Sequence, residues 1–299
     1  MTAVQPAPPP TEPAASAVLG PAPTGSTHRI SPLVYVGGAI VGLIVLVALV
    51  SFFWTPFDTL YTDVVNRHAP PGTAGHLLGT DMRGRDIASL LMEGARTTLY
   101  VGIVSVGIAA LIGTPIGIIA GMAGSKTSES IMRATDILLA FPALLMALLF
   151  ATKWGGSVTT AMIAIGIATV PAFIRVIRSG TLQVMSADYV LAARVAGRRG
   201  IAIAGHHVLP NVLGLVIVQA SVAYAIAILA EAALSYLGLG AGPTTPSWGR
   251  MLYEGQSGWP TYPLVSLWPA LAIILAVLGF NLLGDGLRDR FDPRLAGRG

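Results

Sequence analysis

The runs 33–53, 97–121, 137–152, 154–174, 211–237 and 262–284 hold one charged residue between them, Glu231. A helix needs about 20 apolar residues to cross the roughly 30 Å hydrocarbon core of a bilayer. Five of the runs have that length, and 137–152 reaches it by taking its first turn from 131–136, giving a span 131–152. The runs are continuous rather than alternating, which excludes a membrane β-barrel. Only helices then satisfy the backbone in lipid. The expected fold is an all-α membrane protein with six transmembrane helices. Composition agrees: 54% of residues are hydrophobic and 11% charged, with mean hydropathy +0.72, against about 25% charged in soluble domains.

The chain has no cysteine, so disulfides, thiolate metal sites and a Cys nucleophile are excluded. His76, His206 and His207 do not form a credible metal set, and no metal site is expected. A net charge of +4 without a basic run interleaved with aromatics gives no nucleic-acid footprint. Residues 1–30, rich in Pro, Ala, Thr and Ser, are expected to be a disordered cytoplasmic tail. They lack the charged start and apolar core of a signal peptide. With the N-terminus inside, 12 of the 18 Lys and Arg residues fall on the cytoplasmic side and 6 outside. The positive-inside rule favours that orientation, with both termini cytoplasmic.

Pro115, Pro142 and Pro171 lie in or near spans, where each removes a backbone donor and bends its helix. The Gly, Ala and Ser residues of the second and fourth spans allow close helix contact. Arg133 and Asp136, three apart near the cytoplasmic end of the third span, read first as a local ion pair. A gate contact is the alternative. Glu231, toward the outer end of the fifth span, either faces a solute path or pairs with Arg250 or Arg96. The outer aromatics Trp248, Tyr253, Trp259 and Tyr262 read as an interfacial belt or a docking surface.

The segment 175–210 between the fourth and fifth spans is expected to be a cytoplasmic loop carrying a short helix. Ser186 is a candidate cap, Asp188 suits the first turn, and Tyr189 to Ala196 form the helix. Gly197 ends it in a left-handed turn. Pro210 suits the first turn of the fifth span. Taken alone, this pattern reads as an amphipathic surface helix whose arginines, Arg194 among them, are solvated or on headgroups.

The same residues resemble a loop pattern of importer permeases of the ATP-binding-cassette class. That pattern runs Glu-Ala-Ala, three residues, Gly, nine residues, Ile, one residue, Leu-Pro. Ala192, Ala193, Gly197, Leu209 and Pro210 match it. Leu191 replaces the Glu and His207 the Ile, and His207 to Asn211 is similar to the dipeptide and oligopeptide (DppC/OppC-like) branch. Further segments resemble that family in order: His76 to Asp81 with Gly84 to Asp86, Ile131 to Pro142, Glu231 to Gly240 with Pro246 to Gly249, and Phe280 to Asp289. The resemblance implies a type I ABC importer permease fold. It implies a coupling site made by Ser186, Asp188, Tyr189, Ala192, Ala193, Arg194, Gly197, His207, Leu209 and Pro210. It implies as partners a second permease, one or two ABC ATPase subunits holding ATP and Mg, and an extracytoplasmic substrate-binding protein. The implied substrate is a di- or oligopeptide, with nickel chelates or glutathione as the alternative. A secondary transporter would show inverted repeats or ionisable groups at mid-depth, and neither is present. The chain has no GxxxxGK[ST] phosphate loop; its nearest approach, Gly121 to Thr127, lacks the Gly before Lys126. No catalytic residue is expected.

Overall fold

The computed structural model describes residues 32–291. The expected tail 1–30 lies outside them. Apart from an isolated bridge between Thr80 and Asp86, every described element is a helix. The long helices are α1 (Pro32–Ser51), α2 (Ile87–Met122), α5 (Val158–Met185), α8 (Leu209–Tyr236) and α10 (Pro263–Phe291). Between them stand the shorter α3 (Ser125–Leu139), α4 (Ala143–Trp154), α6 (Asp188–Val195), α7 (Gly200–Ile203) and α9 (Trp248–Gly255). Five helices are long and apolar enough to cross a membrane, or six if α3 and α4 count as one bent span.

The expected span 131–152 is a bent pair of helices rather than a continuous one. α3 and α4 meet at 75° across Ala140, Phe141 and Pro142. Pro142 lacks an N–H and disfavours helix at the residue before it. Pro115 and Pro171 leave α2 and α5 unbroken, because those helices are clamped together. α2 and α5 pack in parallel along a glycine stripe. A methyl group added at Gly113 would lie 2.5 Å from Phe173 Cβ, one at Gly117 2.8 Å from Ile177 Cβ, and one at Gly121 2.5 Å from Thr181 Cβ. Numbers rise together on both helices, so both run in the same direction. Small residues replace the hydrophobic effect as the means of close approach in lipid.

α8 and α10 close the bundle. The Tyr224 ring sits over Gly102, stacks on Phe280 with centroids 4.0 Å apart, and donates its hydroxyl to Leu99 O at 2.6 Å. α1 covers α10 and leaves most of its own surface apolar and exposed. Helix starts follow from local chemistry: Asp86 accepts from Ser89 N–H at 2.7 Å, Ser157 from Thr160 N–H at 3.1 Å, and Ser247 from Arg250 N–H at 3.1 Å.

The 175–210 segment is not a loop throughout. α5 runs on to Met185, carrying Arg175 and Arg178 in helix. Fixed charges end an apolar run without ending a helix, since α-helical bonds are made within the segment. The fifth span likewise starts early: α7 passes through a π turn, Ala204–Val208, straight into α8. Leu209 N–H donates to Ala204 O. That wider turn accommodates Pro210, whose ring clashes with the carbonyl four residues back in a regular α-helix. Pro210 thus sits inside a continuous helix rather than at a chain entry.

Candidate functional site

α6 stands clear of the bundle at the end where α2 and α5 finish. One residue pins it: Val190, fully buried against Met185, Ile203, Val208 and Val212. Its first turn holds Asp188 and its last Arg194, both favourable to the helix dipole. Gly197, at φ +77°, ends it. The Gly197 N–H donates to Arg194 O at 2.9 Å and the Arg198 N–H to Ala193 O at 3.1 Å, a complete Schellman turn. Ser186 does not cap α6. Its hydroxyl turns back to Gln183 O at 2.8 Å and closes α5, and the N-cap position is Ala187.

Tyr189, Leu191, Val195 and Ile201 are exposed, the last two at 91% and 90%. Ala192 is exposed and Ala193 half-buried, and Arg194, Arg198 and Arg199 are exposed as well. The Tyr189 and His207 rings lie 5.9 Å apart, and His207 O accepts from Asn211 Nδ2 at 2.6 Å. Leu209 and Pro210, both exposed, stand at the start of α8. The structure thus brings the sequence-predicted residues 186–210 into one small unit.

Arg133 and Asp136 are not brought together. Arg133 pairs with Glu129 at 2.6 Å along α3, and Asp136 pairs with Arg175 of α5 at 2.6 Å. Spacing i,i+4 on α3 wins over i,i+3 for Arg133. Glu231 pairs with neither Arg250 nor Arg96 and faces no open path. It is 1% exposed, its Oε1 accepts from the Ser235 hydroxyl at 2.7 Å, and Ser235 Oγ in turn accepts the Ala241 N–H at 2.9 Å. Glu231 therefore fastens the turn that follows α8. Trp248 belongs to the core rather than to a belt: it is 3% exposed, lies over Gly94, and donates its indole N–H to Leu91 O at 3.0 Å. Tyr253, Trp259 and Tyr262 remain exposed.

At the opposite end, an ion network that sequence reasoning missed joins the segment before α2 to α9. Arg85 reaches both Asp81, at 2.6 Å, and Glu254. Glu254 also receives Arg250 at 2.9 Å and Arg83 at 3.2 Å. The available signals were Asp81 with Arg85 and Arg250 with Glu254, each four apart. Nearby, His76 Nδ1 lies 2.9 Å from Asp86 Oδ1 under the Phe57 ring. Among the described residues, no group of three or more His, Cys, Asp or Glu is placed to hold a metal ion.

Comparison with known proteins places this geometry in a family. A profile described as "Binding-protein-dependent transport system inner membrane component" matches residues 113–297. The dipeptide transport system permease protein DppC of Alkalihalophilus pseudofirmus is 41% identical over 262 residues, 86% of each chain. The glutathione transport system permease protein GsiD of Pectobacterium atrosepticum is 40% identical over 85% of this chain and 86% of its own. The di/tripeptide permease DppC of Pseudomonas aeruginosa is 41% identical over 85% of both. An inward-facing MetNI methionine ABC transporter structure shares the fold, with TM-score 0.58 and 18% identity over 68% of this chain and 96% of that one. The chain is thus a multi-pass membrane protein and belongs to the family of inner-membrane permease components of binding-protein-dependent, ATP-binding-cassette transport systems.

Proposed function

We propose that this chain is the subunit through which an ATP-driven importer passes di- and oligopeptides across the cytoplasmic membrane. The observation that carries the peptide reading is 41% identity to a dipeptide permease over 86% of the chain. Two kinds of partner follow from the family: an ATPase, and a substrate-binding protein on the other side. In finer terms, the complex holds a second permease and one or two ATPase subunits, which carry ATP and Mg. Both termini of this chain are cytoplasmic, as 12 of 18 Lys and Arg residues on that side favour.

In this reading α6 is the helix that seats in the ATPase. Ala192 and Ala193 let the partner backbone approach, Tyr189, Leu191 and Val195 supply apolar contact, and Arg194 the rim charge. Asp188 and Gly197 hold the ends of the helix, while Ser186, His207, Leu209 and Pro210 form its base. ATP-driven closure then moves α6, and with it α5 and α8, as a rigid body. Nucleotide must bind one of the two arrangements more tightly for this to occur.

The test is uptake of labelled dipeptides and oligopeptides in a strain lacking this chain. Uptake lost on deletion and restored by the chain supports the reading; unchanged uptake of every peptide offered refutes it. Glutathione is a second reading, supported by 40% identity to a glutathione permease. Labelled glutathione in the same strain separates the two.

A further inference from the structure

Two helices mark the same edge of the apolar layer, on the side opposite α6. α1 has no charged side chain over its 20 residues, which rise about 30 Å, the thickness of the hydrocarbon core. α2 has charged side chains only at Glu93 and Arg96, in its first turns, and none from there to Met122. Arg96 joins the two markers. Its Nε donates to Ser51 Oγ, and its guanidinium carbon lies 4.4 Å from the centroid of the Phe52 ring. Ser51 and Arg96 therefore stand together where hydrocarbon gives way to headgroups.

Beyond α1 the chain rises and then comes back to that level. The Phe57 N–H donates to Ser89 Oγ at 2.9 Å, and Ser89 is about 10 Å above Arg96 along α2. Two residues later Thr59 Oγ1 donates to Glu93 Oε2 at 2.8 Å, and Glu93 is only about 5 Å above Arg96. The headgroup layer on each side of a bilayer is about 5–7 Å deep, so Thr59 is tied within its reach. Thr59, 5% exposed, turns in to α2, while Leu60 and Tyr61 beside it are 66% and 64% exposed. The Asp63 N–H then donates to Gly84 O at 3.4 Å, ahead of the start of α2, and the segment climbs away.

The same level carries a continuous apolar surface. Leu46, Leu49 and Val50 are exposed on the last turns of α1, and Phe52, Phe53 and Trp54 follow directly, with Phe53 93% exposed. Trp and Tyr collect at headgroup level because their rings pair an apolar body with a polar tip. We propose that Phe53, Trp54, Leu60 and Tyr61 form a foot seated in the headgroup and upper acyl region of the leaflet opposite α6, with phospholipid as its partner. Thr59 on Glu93 joins this foot to the start of α2. The proposal is independent of which solute the transporter carries.

The chain contains no cysteine, so an introduced thiol can carry a fluorophore with no competing site in this chain. The complete transporter with a nitrobenzoxadiazole dye on Phe53→Cys, Leu60→Cys or Val65→Cys is reconstituted in phosphatidylcholine vesicles, and dye taken up by the unsubstituted transporter is subtracted. Two quenchers are compared: phosphatidylcholine bearing a nitroxide close to its headgroup, and iodide present on both sides of the membrane. At positions 53 and 60 the lipid nitroxide should quench and iodide should have little effect. At Val65, 92% exposed beyond the climb, the order should reverse. Adding Thr59→Val, which removes the hydroxyl on Glu93, should lower lipid quenching at position 60. Quenching at 53 and 60 by iodide alone would put the segment in water, and protection from both quenchers would put it against another protein. Either result overturns the proposal.

Discussion

Arg85 and Glu254 meet across 169 positions of sequence, guanidinium on carboxylate, with side chains only 10% and 6% exposed. The contact ties the segment that caps α2 to the short helix α9. Asp81 shares the same guanidinium, while Arg250 and Arg83 share the same carboxylate. Removing one member of a buried network leaves charges without partners. Arg85→Met should therefore lower stability by about 3 kcal/mol, the lower end of the range for broken buried pairs, since Glu254 keeps two other cations. Arg83→Met, at a side chain 42% exposed, should cost no more than about 1 kcal/mol. Thermal unfolding of the purified transporter in detergent checks the contrast. Equal midpoints for the two variants would contradict it.

The glycine stripe of α2 should tolerate no side chain. Gly117→Val places its Cβ 2.8 Å from Ile177 Cβ and 3.0 Å from Ile174 O. Overpacking of this kind costs about 1–3 kcal/mol. Gly107, whose added Cβ would meet nothing within 4 Å, is the control on the same helix. Membrane abundance and melting of the two variants should separate clearly, and a wild-type melting point for Gly117→Val would sink the packing account.

At Gly197 a new side chain meets backbone strain and, in a docked complex, the partner's surface. The φ of +77° there strains any L side chain, yet an added Cβ meets no atom of this chain within 4 Å. Asn adopts that backbone region at small cost. Gly197→Asn should thus keep the turn and most uptake. Gly197→Glu should lose uptake by at least about tenfold, equivalent to about 1.4 kcal/mol of lost docking, at normal membrane abundance. Equal uptake by the two would refute a docked surface at this turn.

The chain lacks a phosphate loop throughout its sequence. Purified alone, it should hydrolyse no ATP above the buffer rate. Turnover that co-purifies with this chain and survives removal of all partner subunits would overturn that expectation.

The long helices were legible in the sequence because charge-free length has few physical outcomes. Their ends were less so. Arg175 and Arg178 read as loop because charges end an apolar run, but they do not end a helix, and α5 continues through them. Three prolines gave two outcomes. Pro115 and Pro171 lie in helices clamped by the glycine stripe, and Pro142 lies where no such packing restrains the chain. The end of α6 was readable because Gly197 acts locally. Ser186 was misread by one position: Ala187 holds the N-cap of α6, and the Ser186 hydroxyl donates to Gln183 O at the end of α5. Arg85 with Glu254 and Asp136 with Arg175 depend on contacts between distant segments. Single-sequence periodicity carries no signal for those.

The most direct measurement is cross-linking from α6 in intact membranes. A photoreactive thiol reagent on Ala192→Cys, otherwise free of competing thiols in this chain, should yield one product joining this chain to an ATPase subunit, with its yield changing when ATP is added. Attachment to lipid alone, or labelling of that cysteine only from the external side, would contradict the account.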